Sequence, residues 1–443
     1  MEEILELLTS GQYTKLRQLL MELNVADIAA YMEEMEQDDM LKMFRILPKA
    51  IAADVFSYLE IETEQYIITS LSDRDAARII DDLMADDAAD LMEEMPANVV
   101  KKLLANASAD TRRNINHLLR YPEDSAGSIM TVEYVDLKEN LTVAQAIERI
   151  RKKGVDSETI NICYVLDQQR VLIGTVALRY LILSDPDAII ADIMHRNVVS
   201  LHTLMDQEDV ARQFKKYDFT SMPVVDNEDR LVGIITVDDI MDILVEEATE
   251  DIEKMAAIVP SDKPYMKTTA FEAWKKRIPW LLLLMISGTF TSTIIAGFEG
   301  ALSKYVLLTA FIPMLMDTGG NAGGQASVVI IRGISLDEIE FGDWFTIVWK
   351  EIRTAVFCGL TLGVCSFCKV MIVDKAPVLM AIVVAATIFF VVIVAKIVGC
   401  TLPLLAKRIG MDPAVVASPF ITTIVDVISL LVYFSIATMI LGI

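Results

Sequence analysis

The residue whose surroundings say most about chemistry is Asp426, in the run Pro419-Phe-Ile-Thr-Thr-Ile-Val-Asp426-Val-Ile-Ser-Leu-Leu. An ionisable group is expensive in so apolar a stretch, and such groups are functional candidates by default. If a helix begins near Val415, Asp426 lies about eleven residues in, roughly 16 Å along the axis at a rise of about 1.5 Å per residue. That is near the middle of a bilayer core about 30 Å thick. Two readings stay open. Either the acid is protonated and hydrogen-bonded to a neighbouring helix, or it holds a cation in a pore. In the second reading one carboxylate half-balances a divalent ion, so a two-fold dimer with both copies on its axis matches a 2+ charge. Thr422, Thr423 and Ser429 add oxygen donors, directly or through water. Ligation by oxygen alone suits a hard cation, and an ion that keeps much of its water suggests Mg2+, with Ca2+ and Mn2+ also compatible. Asp317, just before the run Gly319-Gly-Asn-Ala-Gly-Gly-Gln325, and Lys396 are the other ionisable groups that stand out in apolar segments.

Positioning these groups requires helices of membrane-spanning length. From Ile278 onward five apolar stretches approach the roughly 20 residues that a bilayer core demands. They run from Ile278 to Phe298, Tyr305 to Ile331, Thr354 to Val373, Val378 to Leu405 and Val415 to Ile440. Five in succession exceed what a soluble domain would bury. Lys275, Lys276, Arg277, Arg332, Lys350, Arg353, Lys407 and Arg408 flank one side of these spans, against Lys304 and Lys375 on the other. Positive residues stay inside, so the N-terminal half is expected in the cytoplasm and the C-terminus outside. The glycine run lacks the Lys-Ser/Thr ending and the strand-loop-helix setting of a phosphate loop. Its small residues predict close helix packing or a break in the second span, and Pro279, Pro313 and Pro419 mark ends or kinks.

Composition agrees with a chain of two characters. The 443 residues have a mean hydropathy of +0.44 and a formal charge of −24, and the two signals separate along the sequence. Residues 1–269 carry 52 Asp and Glu against 27 Lys and Arg, whereas residues 270–443 carry 11 against 12. One uniform globule is excluded, and nucleic acid is a poor partner for so acidic a surface. The five cysteines and three histidines form no zinc or disulfide pattern; even Cys365-Ser-Phe-Cys368 is expected to be ordinary buried thiols. The acidic start Met1-Glu-Glu-Ile-Leu-Glu does not resemble a secretory signal. No nucleophile–base or metal-hydrolase constellation suggests an enzyme.

Residues 1–124 form a string of short amphipathic segments, such as Met40-Leu-Lys-Met-Phe-Arg-Ile-Leu-Pro48 and Ala88-Ala-Asp-Leu-Met-Glu-Glu-Met-Pro96, which predict an all-α solenoid with methionine core filling. From Ser125 short β-like runs alternate with helices, and one unit occurs twice, over 125–190 and 191–246. The second copy's Gly233-Ile-Ile-Thr-Val-Asp-Asp239 is its most specific motif, and the tandem resembles an α/β CBS pair. Such pairs often bind adenine nucleotides. The resemblance implies that Thr236 and Asp239 meet the ribose, with Arg179 and Phe219 as further pocket residues; a purely structural or dimerising pair is the alternative. An acidic, helix-prone connector over 247–277 then leads to the pore region, 278–443.

The order of solenoid, CBS pair, connecting helix and five spans resembles the MgtE family of magnesium channels and transporters over essentially the whole chain. The run from Pro313 to Gln325, Asp412-Pro-Ala414 and Asp426 carry that resemblance. It implies an inner-membrane homodimer, embedded in lipid, whose last helices line a pore with Asp426 holding a hydrated Mg2+. Ser418 stands at a pore position where members often carry Asn, and Ile162 where an aromatic would face adenine. The resemblance also implies that cytosolic Mg2+ bridges acidic surfaces and closes the pore through the connecting "plug" helix. By position the bridging acids are Asp86 and Asp90, Asp239 and Asp242, and Glu247, Glu250 and Asp251. Regulatory Mg2+ and ATP at the CBS pair are thus the expected ligands. Two other readings remain. One is proton- or sodium-coupled cation transport with Asp317 and Lys396 as relay groups, and the other is a membrane-anchored nucleotide sensor.

Overall fold

The structure is a computed structural model that describes residues 2–49, 51–261, 263, 265–336, 338–416 and 418–442. Two units divide the chain, Met1–Leu244 and Val245–Ile443. Acid and proline punctuation breaks the start of the first into helices too short to be stable alone, so each depends on its apolar face. Among the described residues there are ten: α1 (Glu2–Thr9), α2 (Tyr13–Leu20), α3 (Val25–Glu33), α4 (Gln37–Ile46), α5 (Ala52–Phe56), α6 (Ile61–Ser70), α7 (Asp73–Asp82), α8 (Ala85–Glu93), α9 (Ala97–Asn106) and α10 (Ala109–Leu118). Ser72 and Ser108 cap α7 and α10 by accepting backbone N–H bonds. Leu16, Met32, Met43, Phe56, Ile80 and Leu91 meet in one continuous core, so the methionines fill space as their spacing predicts.

The second half of this unit contains the repeat. Strands β1 (Tyr134–Lys138), β2 (Thr159–Leu166) and β3 (Leu172–Ala177) form one sheet, and β4 (Leu201–His202), β5 (Ser221–Val225) and β6 (Leu231–Thr236) the other. In each, the first pair is parallel and the second antiparallel. A helix makes each parallel crossover: α11 (Val143–Lys153), with a Thr142–Gln145 capping box, and α14 (Gln207–Tyr217), capped by Asp206. Helices α12 (Leu178–Leu183) and α13 (Ile190–Ile193) follow the first sheet. The repeat is exchanged in space. Thr131, from the start of the first copy, bridges to Ile234 of β6, and His195, from the start of the second, bridges to Thr175 of β3. Met130 and Met194 are correspondingly buried in each other's sheet cores.

The connector differs from one helix over 247–277. Helix α15 (Val237–Met255) starts at the end of β6 and stops where Ala257 takes a left-handed φ of 55°. There the Ile258 N–H reaches back to the Glu253 carbonyl at 2.9 Å, closing the helix end. A new helix starts only at Ala270, set by a Thr269–Glu272 capping box.

The second unit continues with α16 (Ala270–Gly297), α17 (Glu299–Lys304), α18 (Leu307–Ser335), α19 (Trp344–Ile372), α20 (Val378–Arg408) and α21 (Ser418–Leu441). By length and composition α16, α19, α20 and α21 can cross a membrane. α18 is equally long, at 29 residues, but Asp317, Asn321, Gln325 and its glycines make it more polar. α20 packs against α18, α19 and α21 and is buried on most sides, as an all-apolar helix should be. α18 runs unbroken through the glycine run and Pro313, so close packing, not a break, is what the small residues serve. A Cβ on Gly319 would stand 2.8 Å from Ser429 Oγ and 2.9 Å from a Val425 methyl of α21.

The cysteines correct one expectation. Cys163 and Cys400 are buried, but Cys365 and Cys368 are exposed on α19. An apolar neighbourhood in a spanning helix marks a lipid-compatible face as readily as a protein core.

Candidate functional site

Asp426 is half-buried on α21, and three contacts fix that helix. The Tyr433 hydroxyl donates to the Leu308 carbonyl of α18 at 2.9 Å, Phe434 stacks on Phe298 with centroids 4.4 Å apart, and Thr423 and Ser287 hydroxyls lie 3.3 Å apart. Thr422 and Thr423 both donate to the Pro419 carbonyl, at 2.9 and 3.0 Å, which leaves their oxygen lone pairs as acceptors. Ser429 Oγ is buried without a hydrogen-bond partner among the described residues. The side chain of Ser418 lies outside the described residues. Gly319 and Gly320 of α18 lie against Val425, Ser429 and Thr422 of α21, so Asp317 and Asp426, far apart in sequence, sit on two helices packed together.

A pattern missed from the sequence surrounds Asp317. With Asn321 and Gln325 it repeats at four-residue spacing, and all three are exposed while their neighbours Gly319, Ala322, Gly323 and Ala326 are buried. One face of α18 is thus a polar stripe. The spacing i, i+4, i+8 was available to find it. Lys396 has a different partner: it is 6% exposed and lies 3.3 Å from Glu351 Oε2 of α19.

A second acidic group is assembled within the first unit. Helix α8 carries Asp86, Asp87 and Asp90, the N-terminal turn of α15 carries Asp238 and Asp239, and Glu133 and Glu158 flank the first sheet. Burial, then the like charges of Asp87, Asp239, Glu158 and Asp90, push Asp86 well above the carboxylate range. Its Oδ1 is buried without a hydrogen-bond partner among the described residues. Burial and Asp239 raise Asp87 to about 7, and burial with Asp239, Asp238 and Asp87 raises Glu158 to about 7. Glu64 of α6 reaches about 9 through burial and the charges of Asp87, Asp90 and Glu33. Asp90 is exposed, and exposed Asp242 adds its charge to Asp239. Glu133 holds the group together: it accepts from the Thr131 hydroxyl at 2.7 Å and from the first N–H of α8 at 3.4 Å. Among the described residues no three His, Cys, Asp or Glu already converge tightly enough to enclose an ion. Asp87, Glu158 and Glu64 were not singled out from the sequence; Glu158 and Glu64 have no local pattern that distinguishes them from solvated acids.

In the second unit, Glu250 pairs with Lys254 at 2.6 Å, and Lys254 with Asp412 of the Asp-Pro-Ala run at 2.8 Å. Asp251 accepts from Ser335 at 3.5 Å, and Glu247 is half-buried on the same helix.

A cleft of about 480 Å3 lies between the two sheets, with Ile162, Tyr180, His195, Phe219 and Pro223 among its walls. Phe219 lines this cleft, half open to it. Arg179 is next to the wall residue Tyr180, and Thr236 pairs in register with the wall residue Ser221 and donates its hydroxyl to Asp239 at 2.7 Å. Asp239 is also part of the acidic group.

Known proteins match along the whole chain. A family model described as divalent cation transporter covers residues 312–436, the MgtE intracellular N domain model residues 23–124, and a CBS domain model residues 190–246. The magnesium transporter MgtE of Thermus thermophilus is 38% identical over 440 residues, 98% of this chain and 97% of its own. That of Bacillus subtilis is 35% identical over 438 residues, 98% and 96%. The crystal structure of the cytosolic domain of the Mg2+ channel MgtE in complex with ATP aligns at a TM-score of 0.52 and 39% identity, covering 54% of this chain and 98% of that one. With four helices able to cross a membrane, a twice-repeated α/β unit and relatives matched over nearly the full length, the chain belongs to the MgtE family of divalent cation transporters.

Proposed function

We propose that this protein is a Mg2+-selective channel or transporter of the inner membrane, a homodimer held at low activity by cytosolic Mg2+. The family is one of transporters, not of enzymes. The observation that carries the reading is the polar stripe Asp317, Asn321, Gln325, left exposed by the protomer, with Asp426 on the helix packed against it. Lipid cannot satisfy such a face; water or a second copy can. A fifth span, α18, then lines an aqueous path with α21. Its donors are carboxylate, amide and hydroxyl oxygens, which suit a hard cation that retains water. Mg2+ is here the cargo; Asp426 would attract it, and Thr422 and Ser418 would meet its water shell. The basic flanks of the spans support a cytoplasmic N-terminus and an outside C-terminus.

The acidic group supplies the feedback. Without Mg2+, Asp86, Asp87, Asp239 and Glu158 repel one another; bound Mg2+ offsets that repulsion and favours the arrangement that keeps them together. Asp90, Asp242, Glu247, Glu250 and Asp251 are the further candidates. The cleft with Phe219 is the proposed ATP site, supported by the ATP complex of the 39% identical relative.

Mg2+ uptake into liposomes reconstituted with the full chain tests the transport reading. Asp426→Ala is expected to abolish uptake while leaving the dimer intact in size-exclusion chromatography; wild-type uptake by that variant would remove Asp426 from the path. The buried Lys396–Glu351 pair favours a second reading, coupled transport, in which uptake would follow an imposed proton or sodium gradient.

A further inference from the structure

In a unit dominated by acids, the pocket beside α10 is basic. Arg113 and His117 of α10, Arg120 just beyond it, Arg170 from the β2–β3 turn and Arg230 from the β5–β6 turn line a cavity of about 390 Å3, with Asp226 the one acid in its wall. This concentration of four guanidinium groups stands against 52 acids and 27 bases in residues 1–269. The two turns are equivalent positions of the repeat and are fastened side by side: Val171 and Arg230 form a β-bridge, and Leu231 N–H donates to the Arg170 carbonyl at 3.2 Å. Each copy thereby delivers one arginine to the same cavity.

The guanidinium groups are weakly committed. Arg113 pairs with exposed Asp110, Arg230 with exposed Glu228, and Arg170 donates to the Tyr134 hydroxyl at 2.8 Å. Exposed pairs of this kind are readily exchanged for a better acceptor. Arg120 makes no side-chain hydrogen bond or ion pair among the described residues, and its charge acts on His117, which burial and Arg120 together hold below the usual histidine range. Asp226 is already used by its own turn, accepting from the backbone N–H groups of Glu228 and Arg230 at 2.8 and 3.0 Å. The pocket thus has donors in excess over its one carboxylate.

We infer that this pocket binds a small polyphosphate anion, gripped by arginines from α10 and from both turns. Planar guanidinium forks match phosphate oxygens two at a time. The site is distinct from the cleft of Phe219 and shares no lining residue with it. It is also tied to the acidic group, because Asn114 in its wall donates to Glu133 at 3.4 Å. A bound anion would fasten α10 to the two turns and so hold α8, which packs on α10, beside Asp239.

The test is isothermal titration of inorganic tripolyphosphate into the full-length protein in detergent, in Mg2+-free buffer at low salt. The wild-type protein is expected to bind one anion per chain, more weakly as salt rises. Arg120→Gln and Arg113→Gln, both at exposed positions, are each expected to weaken binding about tenfold, the loss of one charge-assisted hydrogen bond, without a change in melting temperature. Phe219→Ala is expected to bind tripolyphosphate as the wild type does. No binding by the wild type, unchanged binding by both arginine variants, or loss in Phe219→Ala alone would each overturn the proposal; the last would place the anion in the inter-sheet cleft.

Discussion

At the scale of residues, the account rests on carboxyl groups held where they resist ionisation. Asp87 and Glu158 titrate at about 7 and Glu64 at about 9 in the fold, whereas unfolded carboxyls titrate near about 4. From about pH 4 upward the folded chain therefore binds more protons than the unfolded one, and its stability falls as pH rises through about 7, then further towards about 9. A divalent ion that binds only the folded group removes that loss. We expect the melting temperature in EDTA to drop between pH 5 and pH 8, and Mg2+ to raise it more at pH 8 than at pH 5; equal stabilisation at both would contradict an acidic sensor. Asp426 was legible because a lone carboxylate in an apolar run is conspicuous. Asp87 and Asp90, three apart on α8, share a helix face, but Glu158 and Glu64 reach the group only through tertiary packing. Asp239 is expected in two roles from the sequence, and only the fold shows the acids that surround it.

At the scale of elements, the helices of the second unit show why apolar length is an incomplete guide. The apolar ends of α18 predict a span, yet its middle carries the polar stripe of Asp317, Asn321 and Gln325. The glycines at its centre are explained by close approach: a Cβ on Gly323 would lie 2.9 Å from an Ile421 methyl and 3.2 Å from the Ala395 carbonyl. The connector was legible as amphipathic but not as interrupted, since the left-handed turn at Ala257 has no glycine to announce it. Lys396 illustrates the same limit, because its partner Glu351 lies on a different helix. Removing one member of a buried pair strands the other charge, at a cost of about 3–5 kcal/mol. Glu351→Ala is accordingly expected to lower the stability of the detergent-solubilised protein by about that much, and the double change Glu351→Ala with Lys396→Met to recover most of it. A double variant no more stable than the single one would show that the pair is not coupled.

At the scale of the whole molecule, the charge segregation separates a membrane part from an acidic part, and the repeat order along the sequence does the same for the CBS tandem. What the linear pattern conceals is the exchange of first segments between the two copies, because a swap leaves the sequence repeat unchanged. The basic pocket is hidden for the same reason: its arginines come from three separated stretches. The feedback reading predicts that deleting residues 2–124 leaves a transporter less inhibited by millimolar-range cytosolic Mg2+, measured as initial uptake rate against Mg2+ on that side; undiminished inhibition would place the sensor outside the solenoid. The most direct measurement is single-channel current through the full-length protein in a planar bilayer while Mg2+ on the cytosolic side is varied. The account predicts a Mg2+-carried current whose open probability falls as cytosolic Mg2+ rises into the millimolar range. A current indifferent to cytosolic Mg2+, or no Mg2+ current at all, would contradict it.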